Sequence, residues 1–181
     1  AGGPFRTEAS LVRALATLGH SAKMVDALGW RRRLGPLAGR VLRRQVDRYQ
    51  PDLVLCPRHA VAAGEPALRE ILAGRASAFW YFDALSPLPQ PAVALARQTE
   101  RTFASYGYQV QAFRAAGVDE VHFLPQGLDP ALDRPAARAP ADYHCDLSFV
   151  GSGQFPRRHA ILGALASRCR LQIRGRHWRE A

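Results

Sequence analysis

The chain has 181 residues, of which 48% are hydrophobic, and a formal net charge of +10. This length supports one ample core, or one domain with part of another. No apolar run approaches the roughly 20 residues that cross a bilayer, which excludes a transmembrane segment. The first ten residues lack the charged start and apolar stretch of a signal peptide, so a soluble cytoplasmic protein is expected.

The positive charge comes almost entirely from arginine, since Lys23 is the single lysine. The densest clusters, at 31–33 and 40–44, flank a helical pattern. Surfaces that bind single-stranded nucleic acid usually carry aromatic residues on which the bases stack. No such series of aromatic residues lies between these arginines. The pattern favours a solvated helix face, and binding of nucleic acid through residues 31–44 ranks last among the functional hypotheses.

The cysteines and histidines do not indicate a metal centre. Cys56, Cys145 and Cys169 are widely spaced, and no C-x-x-C pair occurs. The sequence also contains no pair of histidines at a spacing typical of metal ligands. The cysteines are therefore interpreted as structural, and no metal ligand is predicted.

The first part of the chain opens with a glycine turn and two helical patterns. Gly2-Gly3-Pro4 is interpreted as a loop that leaves a strand preceding the given sequence, so the first strand is expected to be missing. Leu11, Leu15 and Leu18 follow the i, i+4, i+7 spacing of one buried helix face. A short β-rich run predicts a strand at 21–27, and apolar spacing predicts a second helix over 34–49.

The rest of the chain continues to alternate strand and helix. An alternation every 20 to 30 residues or so predicts an α/β fold with a parallel sheet and crossover helices, a Rossmann-like domain. The strand at 52–56 is almost entirely apolar, as expected where both faces of a sheet are covered. The further predicted strands are 77–82, 102–107, 120–125, 146–150 and 171–175, and the further predicted helices are 109–116 and 157–167.

A proline-rich segment interrupts this alternation between residues 128 and 143. It contains three prolines and no sustained periodicity, which is typical of a linker. The sequence predicts one Rossmann-like domain over 1–140 and the truncated beginning of a second one over 141–181. Both are expected to open with a glycine turn into a basic helix.

The turn after the strand at 146–150 is the main candidate for phosphate binding. Gly151, Ser152 and Gly153 would expose backbone N–H groups, and a helix starts immediately after them. Arg157 or Arg158 would add a full positive charge to the partial charge of the helix N-terminus. The glycines match neither G-x-G-x-x-G nor the Walker A pattern, so an ordinary turn between strand and helix is the alternative.

Two residues at predicted strand ends are candidates for a general base. Ligands of open parallel sheets bind outside the carboxyl ends of the strands. His59 follows the strand at 52–56, and Asp83 ends the aromatic run 79–82. Either would accept a proton from a substrate hydroxyl. The alternative for each is a purely structural role, and for Thr7 and Glu8 the alternatives are helix capping and ligand contact.

The segment 124-LPQGLDPALDRP-135, followed by 146-DLSFVGSGQFPRRHAIL-162, resembles the glycosyltransferase family related to spore maturation protein CgeB. More loosely it resembles other GT-B glycosyltransferases. In that family a P-x-G-x-D turn closes the first Rossmann-like domain, and a D-x-x-F-V-G strand starts the second. The segments 7–20, 50–56 and 79–83 also match the family's order of elements, so the resemblance covers nearly the whole chain.

This resemblance implies transfer of a sugar from a nucleotide-diphosphate sugar to an unknown acceptor, without a separate cofactor. It implies an acceptor side in the first domain, with Gln126, Gly127 and Asp129 at the domain junction as further binding residues for the donor. The donor diphosphate would lie on the turn 151–153 with Arg157 or Arg158, and an inverting reaction would use Asp83 or His59 as the base. The alternative function is a non-catalytic module that binds a nucleotide or sugar phosphate.

Overall fold

A computed structural model describes residues 7–133 and 144–178. The chain divides into two compact units, with the division between Asp133 and Arg134. The predicted loop at Gly2-Gly3-Pro4, the predicted domain boundary near residue 140 and most of the predicted linker lie outside the described residues.

The first unit begins with three helices and continues as alternating strands and helices. Short 3-10 turns at Gly35–Leu37 and Arg58–Ala63 connect some of these elements. The elements are α1 (Thr7–Thr17), α2 (Ala27–Leu34), α3 (Ala38–Tyr49), β1 (Leu53–Pro57), α4 (Glu65–Leu72), β2 (Ala76–Tyr81), α5 (Gln90–Ala96), β3 (Arg101–Ala104), α6 (Gly107–Ala115) and β4 (Val121–Phe123).

The four strands form one parallel sheet in the order β1-β2-β3-β4. Phe79 on β2 lies opposite Cys56 on β1 and Thr102 on β3, and Thr102 lies opposite Val121 on β4. The fold is α/β with helices flanking a parallel sheet, which confirms the predicted class and is consistent with a Rossmann-like arrangement. The GT-B architecture stays a prediction.

The core of this unit lies between one face of the sheet and helices α3 to α6. Phe79, Tyr81 and Phe113 are fully buried there, and Phe113 meets both other rings edge to face. Burial of each such side chain contributes about 1.5–3 kcal/mol. This packing holds β2 and α6 together, and the carboxyl end of β2 is therefore part of a rigid element.

The predicted strand at 21–27 is wrong. Residues 20–26 form no strand, and α2 begins at Ala27 instead. The physical reason is a helix cap, because the carboxylate of Asp26 accepts a hydrogen bond of 2.8 Å from the N–H of Gly29. An oxygen in this position satisfies one of the free N–H groups at the start of a helix.

Other elements differ from the predictions at their boundaries. The third strand ends at Ala104 rather than residue 107, since α6 already begins at Gly107. Helices α4 and α5 were not predicted, although each has a proline in its first turn. Such a proline is favourable there because its missing N–H would have no helical partner.

The second unit, in its described part, consists of β5 (Leu147–Val150), α7 (Pro156–Ala166) and β6 (Leu171–Arg174). The two strands pair in parallel, with Phe149 opposite Ile173. The carboxylate of Asp146 accepts hydrogen bonds from the backbone N–H and the guanidinium of Arg170. These bonds join the starts of both strands.

The described ranges contain no helix with the length and apolar character needed to cross a membrane. Burial raises the pKa of the Cys56 thiol to about 12, so this group stays protonated at neutral pH. Its chemistry is that of a small buried hydrophobe, which agrees with a structural role.

Candidate functional site

The carboxyl ends of the parallel strands bring both predicted bases to one edge of the sheet. Arg58 and His59 follow β1, Asp83 follows β2 by two residues, and Gln126 follows β4. This is the edge at which open parallel sheets bind their ligands. The structure therefore places His59 and Asp83 on the predicted side.

Arg58 connects these two residues. Its Nη1 lies 2.7 Å from Oδ2 of Asp83, which forms an ion pair. Oδ2 nevertheless has no hydrogen-bond partner with suitable geometry among the described residues. Nη2 of the same guanidinium lies 3.3 Å from Nε2 of His59.

His59 also meets a carboxylate on its other ring nitrogen. Nδ1 lies 3.5 Å from Oε1 of Glu8 on α1. Guanidinium only donates hydrogen bonds and a carboxylate only accepts them. For the neutral imidazole this arrangement favours the tautomer with the proton on Nδ1 and the lone pair on Nε2, where the guanidinium of Arg58 lies.

A cavity of about 250 Å³ lies beside this charged group. Arg58 and His59 belong to its wall, whereas Asp83 does not. Most of the remaining wall is apolar, and it consists of Leu28, Val61, Ala62, Tyr81, Leu85, Pro89, Pro91 and Ala92. His59, rather than Asp83, is therefore the predicted base in direct contact with a bound molecule.

Tyr81 is the buried polar residue of this wall. The residue is completely buried, and its Oη has no hydrogen-bond partner among the described residues. Burial raises the pKa of the Tyr81 phenol above its ordinary value, the charge of Asp83 raises it further, and Arg58 opposes the rise. The phenol is consequently neutral at physiological pH and keeps a proton to donate.

Two glutamines hold the loop that carries Asp83. The fully buried Gln109 on α6 donates from Nε2 to the carbonyl of Asp83 at 2.5 Å. Gln126, a predicted ligand residue, donates from Nε2 to the carbonyl of Phe82 at 3.1 Å. The Gln126 side chain therefore ties the segment after β4 to the end of β2.

Asp129 is bound within its own unit. Its Oδ2 lies 2.5 Å from Nη2 of Arg13 on α1, and its Oδ1 accepts from the N–H of Ala131. Hydrogen bonds from Arg13 and Ser10 hold the pKa of the Asp129 carboxyl below its ordinary value. These contacts give Asp129 a structural role, its predicted ligand role stays a prediction, and the nearby Gly127 has open space around it.

The glycine turn of the second unit is closed against its own chain. The N–H groups of Gly151 and Gly153 donate to the carbonyls of Arg174 and Arg176, each at 2.8 Å. A Cβ on Gly153 would overlap the carbonyl oxygen of His177. The prediction that these two N–H groups are exposed to a diphosphate is therefore wrong, because backbone carbonyls already occupy them.

The two arginines after this turn have different environments. Nη1 of Arg158 donates to the carbonyl of Ser152 at 2.9 Å, and its guanidinium lies 4.5 Å from the ring centre of Phe155. Arg157 is exposed on the first turn of α7. Of the two arginines, Arg157 is therefore the one whose guanidinium is accessible to an anion from solvent.

Sequence reasoning did not assign a site role to three residues of the group in the first unit. The sequence left Glu8 between helix capping and ligand contact, and it gave no role to Arg58 or to Tyr81 within the aromatic run. The aromatic run carried a signal for Tyr81, since a tyrosine in a buried strand needs a partner for its hydroxyl. The pairing of Glu8 with His59 joins residues about fifty positions apart and has no local signal.

Within residues 7–133 and 144–178, no group of three or more His, Cys, Asp or Glu side chains is arranged to hold a metal ion. No family model, curated protein or solved structure matches the chain. The function proposed below consequently depends on the residues described above and on the motif resemblance.

Proposed function

We propose that the protein is a glycosyltransferase of the GT-B type that moves a sugar from a nucleotide-diphosphate sugar to an acceptor hydroxyl. The observation that carries the proposal is the contact of Glu8 with His59, because His59 belongs to the wall of a cavity and follows the carboxyl end of a strand of the parallel sheet. A base oriented by a carboxylate beside a cavity is the arrangement that removal of a hydroxyl proton requires.

In this reaction the acceptor oxygen forms a bond to the anomeric carbon of the donor. The bond between that carbon and the diphosphate oxygen breaks, and its electron pair leaves with the nucleoside diphosphate. Nε2 of His59 takes the acceptor proton, and the charge of Glu8 stabilises the resulting imidazolium. A base in direct contact with the acceptor is what a single, inverting displacement needs.

Arg58 and Asp83 have supporting roles in this proposal. Arg58 holds Nε2 of His59 at 3.3 Å, a long contact that an acceptor hydroxyl replaces on binding. Asp83 neutralises Arg58 at 2.7 Å and thereby limits its repulsion of the imidazolium. Asp83 is accordingly assigned to positioning rather than to proton transfer.

The donor diphosphate is assigned to the second unit, where Arg157 is the predicted contact. Its guanidinium is exposed on the first turn of α7, where the helix dipole adds partial positive charge. The backbone groups of Gly151 and Gly153 take no part, since they are already bonded.

The test is release of nucleoside diphosphate from a panel of uridine, guanosine, adenosine and thymidine diphosphate sugars. Glycosyl transfer to water replaces the unknown acceptor, and the product is measured by chromatography. We expect at least one donor to be consumed, and Arg157→Ala to raise its KM about tenfold. Arg168→Ala, which changes an arginine beyond the end of α7, is the matched control. Absence of release from every donor contradicts the proposal.

A second candidate is a non-catalytic module that binds a nucleotide or sugar phosphate. It is favoured by the closed turn at Gly151 and Gly153, which leaves the second unit with less electrostatic stabilisation for a leaving group than catalysis usually uses. Calorimetric binding of a nucleoside diphosphate without turnover of any donor would support this candidate.

A further inference from the structure

The exposed face of α3 carries a row of arginines opposite the face that packs on the core. Ala38, Gly39 and Leu42 are the buried residues of this helix. Residues three or four positions apart lie one above another on the same face of a helix. Those spaced in this way on the opposite face are all exposed, and they are Leu37, which immediately precedes α3 in helical backbone conformation, and Arg40, Arg44 and Arg48. These three arginines, the arginine row, extend over about 12 Å of the helix axis.

The charge of the arginine row is not neutralised by the described parts of the chain. Residues 27–49 contain seven arginines and one acid, Asp47, whose carboxylate already pairs with Arg43 and Arg75. Asp26 is used as the cap of α2. The other six arginines of this segment are exposed and form neither an ion pair nor a side-chain hydrogen bond with a described residue, and they are Arg31, Arg32, Arg33, Arg40, Arg44 and Arg48.

Two leucines near the turn between α2 and α3 accompany these charges. Leu37 is 55% exposed, and Leu34 is 36% exposed. The phosphates of a nucleic acid offer a leucine no apolar partner, whereas the boundary between lipid headgroups and acyl chains does. Residues 31–48 also contain no aromatic ring on which a base could stack. The combination favours a lipid surface over a nucleic acid.

We propose that the exposed face of α3 binds an anionic membrane surface. The arginine row contacts lipid phosphates, and Leu37 enters the boundary between headgroups and acyl chains. Anionic lipid surfaces attract basic segments, and about four to eight arginines or lysines on one helix are typical of such binding. The inference goes beyond the proposed sugar transfer and does not depend on it.

The experiment measures sedimentation of the whole chain with vesicles of two compositions, phosphatidylcholine alone and phosphatidylcholine with about one third phosphatidylglycerol. We expect binding to the anionic vesicles to be at least about tenfold stronger. Raising NaCl from about 0.1 M to about 1 M should weaken it at least tenfold, because the screening length falls from about 10 Å to about 3 Å. No binding to the anionic vesicles, or equal binding to both compositions, would overturn the inference.

Two variants separate the charge from the apolar contact. The combined variant Arg40→Gln, Arg44→Gln and Arg48→Gln should weaken binding to the anionic vesicles at least about tenfold, since each basic residue near the surface contributes. Glutamine is a good helix former, so the exposed face stays helical. Leu37→Ser should weaken binding about fivefold to tenfold by removing apolar area, and serine is favourable before a helix. An unchanged affinity in either variant would contradict the proposal.

The matched control removes the same charge from the second unit. It combines Arg168→Gln, Arg174→Gln and Arg176→Gln, which replace three other exposed arginines. We expect this control to bind the anionic vesicles as the unaltered chain does. Equal weakening in the control and in the α3 variant would show that net charge, rather than the arginine row, determines binding, and would overturn the inference.

Nucleic acid is the other possible partner of such a surface, and competition distinguishes it. Duplex or single-stranded DNA is added to the vesicle-bound chain at the same concentration of phosphate as the anionic lipid provides. We expect most of the chain to stay on the vesicles, because DNA offers no apolar partner for Leu37. Release of most of the chain would assign the arginine row to nucleic acid and would overturn the proposal.

Discussion

Tyr81, Thr102 and Gln109 are fully buried residues that each carry a side-chain oxygen without a hydrogen-bond partner in the described part of the chain. Phe79 and Phe113 are equally buried and contribute only apolar contacts, whereas the hydroxyl of Tyr81 has lost its water and gained no hydrogen bond in the described part of the chain. Such a group lowers stability.

The absence of a partner for this hydroxyl predicts that Tyr81→Phe does not destabilise the protein. The free energy of unfolding should stay the same or rise by up to about 1 kcal/mol, because the substitution removes a buried hydroxyl without a partner. Tyr49→Phe should lower it by about 0.5–1 kcal/mol, since its hydroxyl donates to the carbonyl of Ser21 at 2.8 Å. Urea unfolding measures both, and a loss above about 1 kcal/mol for Tyr81→Phe would show that the hydroxyl is bonded in the free protein.

Residues at strand ends could be predicted from the sequence, and their partners could not. His59 and Asp83 follow from the position of β-rich runs and from the rule that ligands bind at the carboxyl ends of parallel strands. The contacts of Arg58 with both, and of Glu8 with His59, depend on how loops and α1 pack. Nothing in the local pattern encodes these tertiary contacts.

At the scale of elements, the turn between β5 and α7 shows how one motif permits two interpretations. Its glycines predict either an open phosphate loop or a turn in which backbones pack closely. The end of β6 and the segment after it decide between them, since the carbonyls of Arg174 and Arg176 accept the N–H groups of Gly151 and Gly153. Strand pairing is a tertiary property, and the glycine spacing alone could not reveal it.

Close packing of this turn predicts that Gly153→Ala is strongly destabilising. The new Cβ would overlap the carbonyl oxygen of His177 and lie 2.8 Å from Cδ2 of Trp178. Overpacking of this kind costs about 1–3 kcal/mol. In Gly163→Ala, on α7, the new Cβ meets nothing within 4 Å. This control should be more stable by about 0.5–1 kcal/mol, because alanine is the better helix former.

Thermal and urea unfolding measure the stabilities of Gly153→Ala and Gly163→Ala relative to the unaltered chain. Equal stability of Gly153→Ala and the unaltered chain would contradict the closed turn and would reopen the possibility of an exposed phosphate loop.

The start of the second unit carries a pH-dependent contact. Hydrogen bonds from the Arg170 guanidinium, and then from its backbone N–H, lower the pKa of Asp146 to about 2 from its usual 3.8. A lowered pKa in the folded state means that the ionised form is the one stabilised by folding. This contribution is present above about pH 4 and is lost as the pH falls through 2.

We therefore expect Asp146→Asn to remove the contribution of Asp146 to the loss of folding stability at low pH. The unaltered chain should lose stability between about pH 4 and pH 2, and the variant should lose less over the same interval. The midpoint of urea unfolding, measured along that pH series, tests the prediction. Parallel curves for both proteins would show that Asp146 is equally solvated in the folded and unfolded states.

At the scale of the whole molecule, the fold class could be predicted and the details of individual segments could not. Alternation of strand and helix is a local, periodic signal, and it correctly indicates a parallel α/β sheet. The prediction of a strand at 21–27 is wrong because a short β-rich run predicts a strand whether or not a neighbouring strand exists to pair with it. Asp26 instead caps α2 through a contact only three residues away.

The net charge of +10 is a property of the whole molecule that carries little information about the site. Several arginines are used in structural contacts, as Arg13 is with Asp129 and Arg43 is with Glu70. The charge of the proposed site comes from few groups, and Arg58 among them is neutralised by Asp83. Local pairing therefore matters more to the proposed chemistry than the overall excess of arginine.

The central claim is that His59, oriented by Glu8, removes the acceptor proton in a sugar transfer. Its most direct test is kcat for release of nucleoside diphosphate in His59→Ala and in His122→Ala. His122 is a suitable control because it too is exposed and lies 3.3 Å from a glutamate, Glu120, without belonging to the cavity wall. The account predicts a loss of at least about 100-fold for His59→Ala, the scale of general-base catalysis, and no change for His122→Ala. Equal rates in the two variants would contradict it.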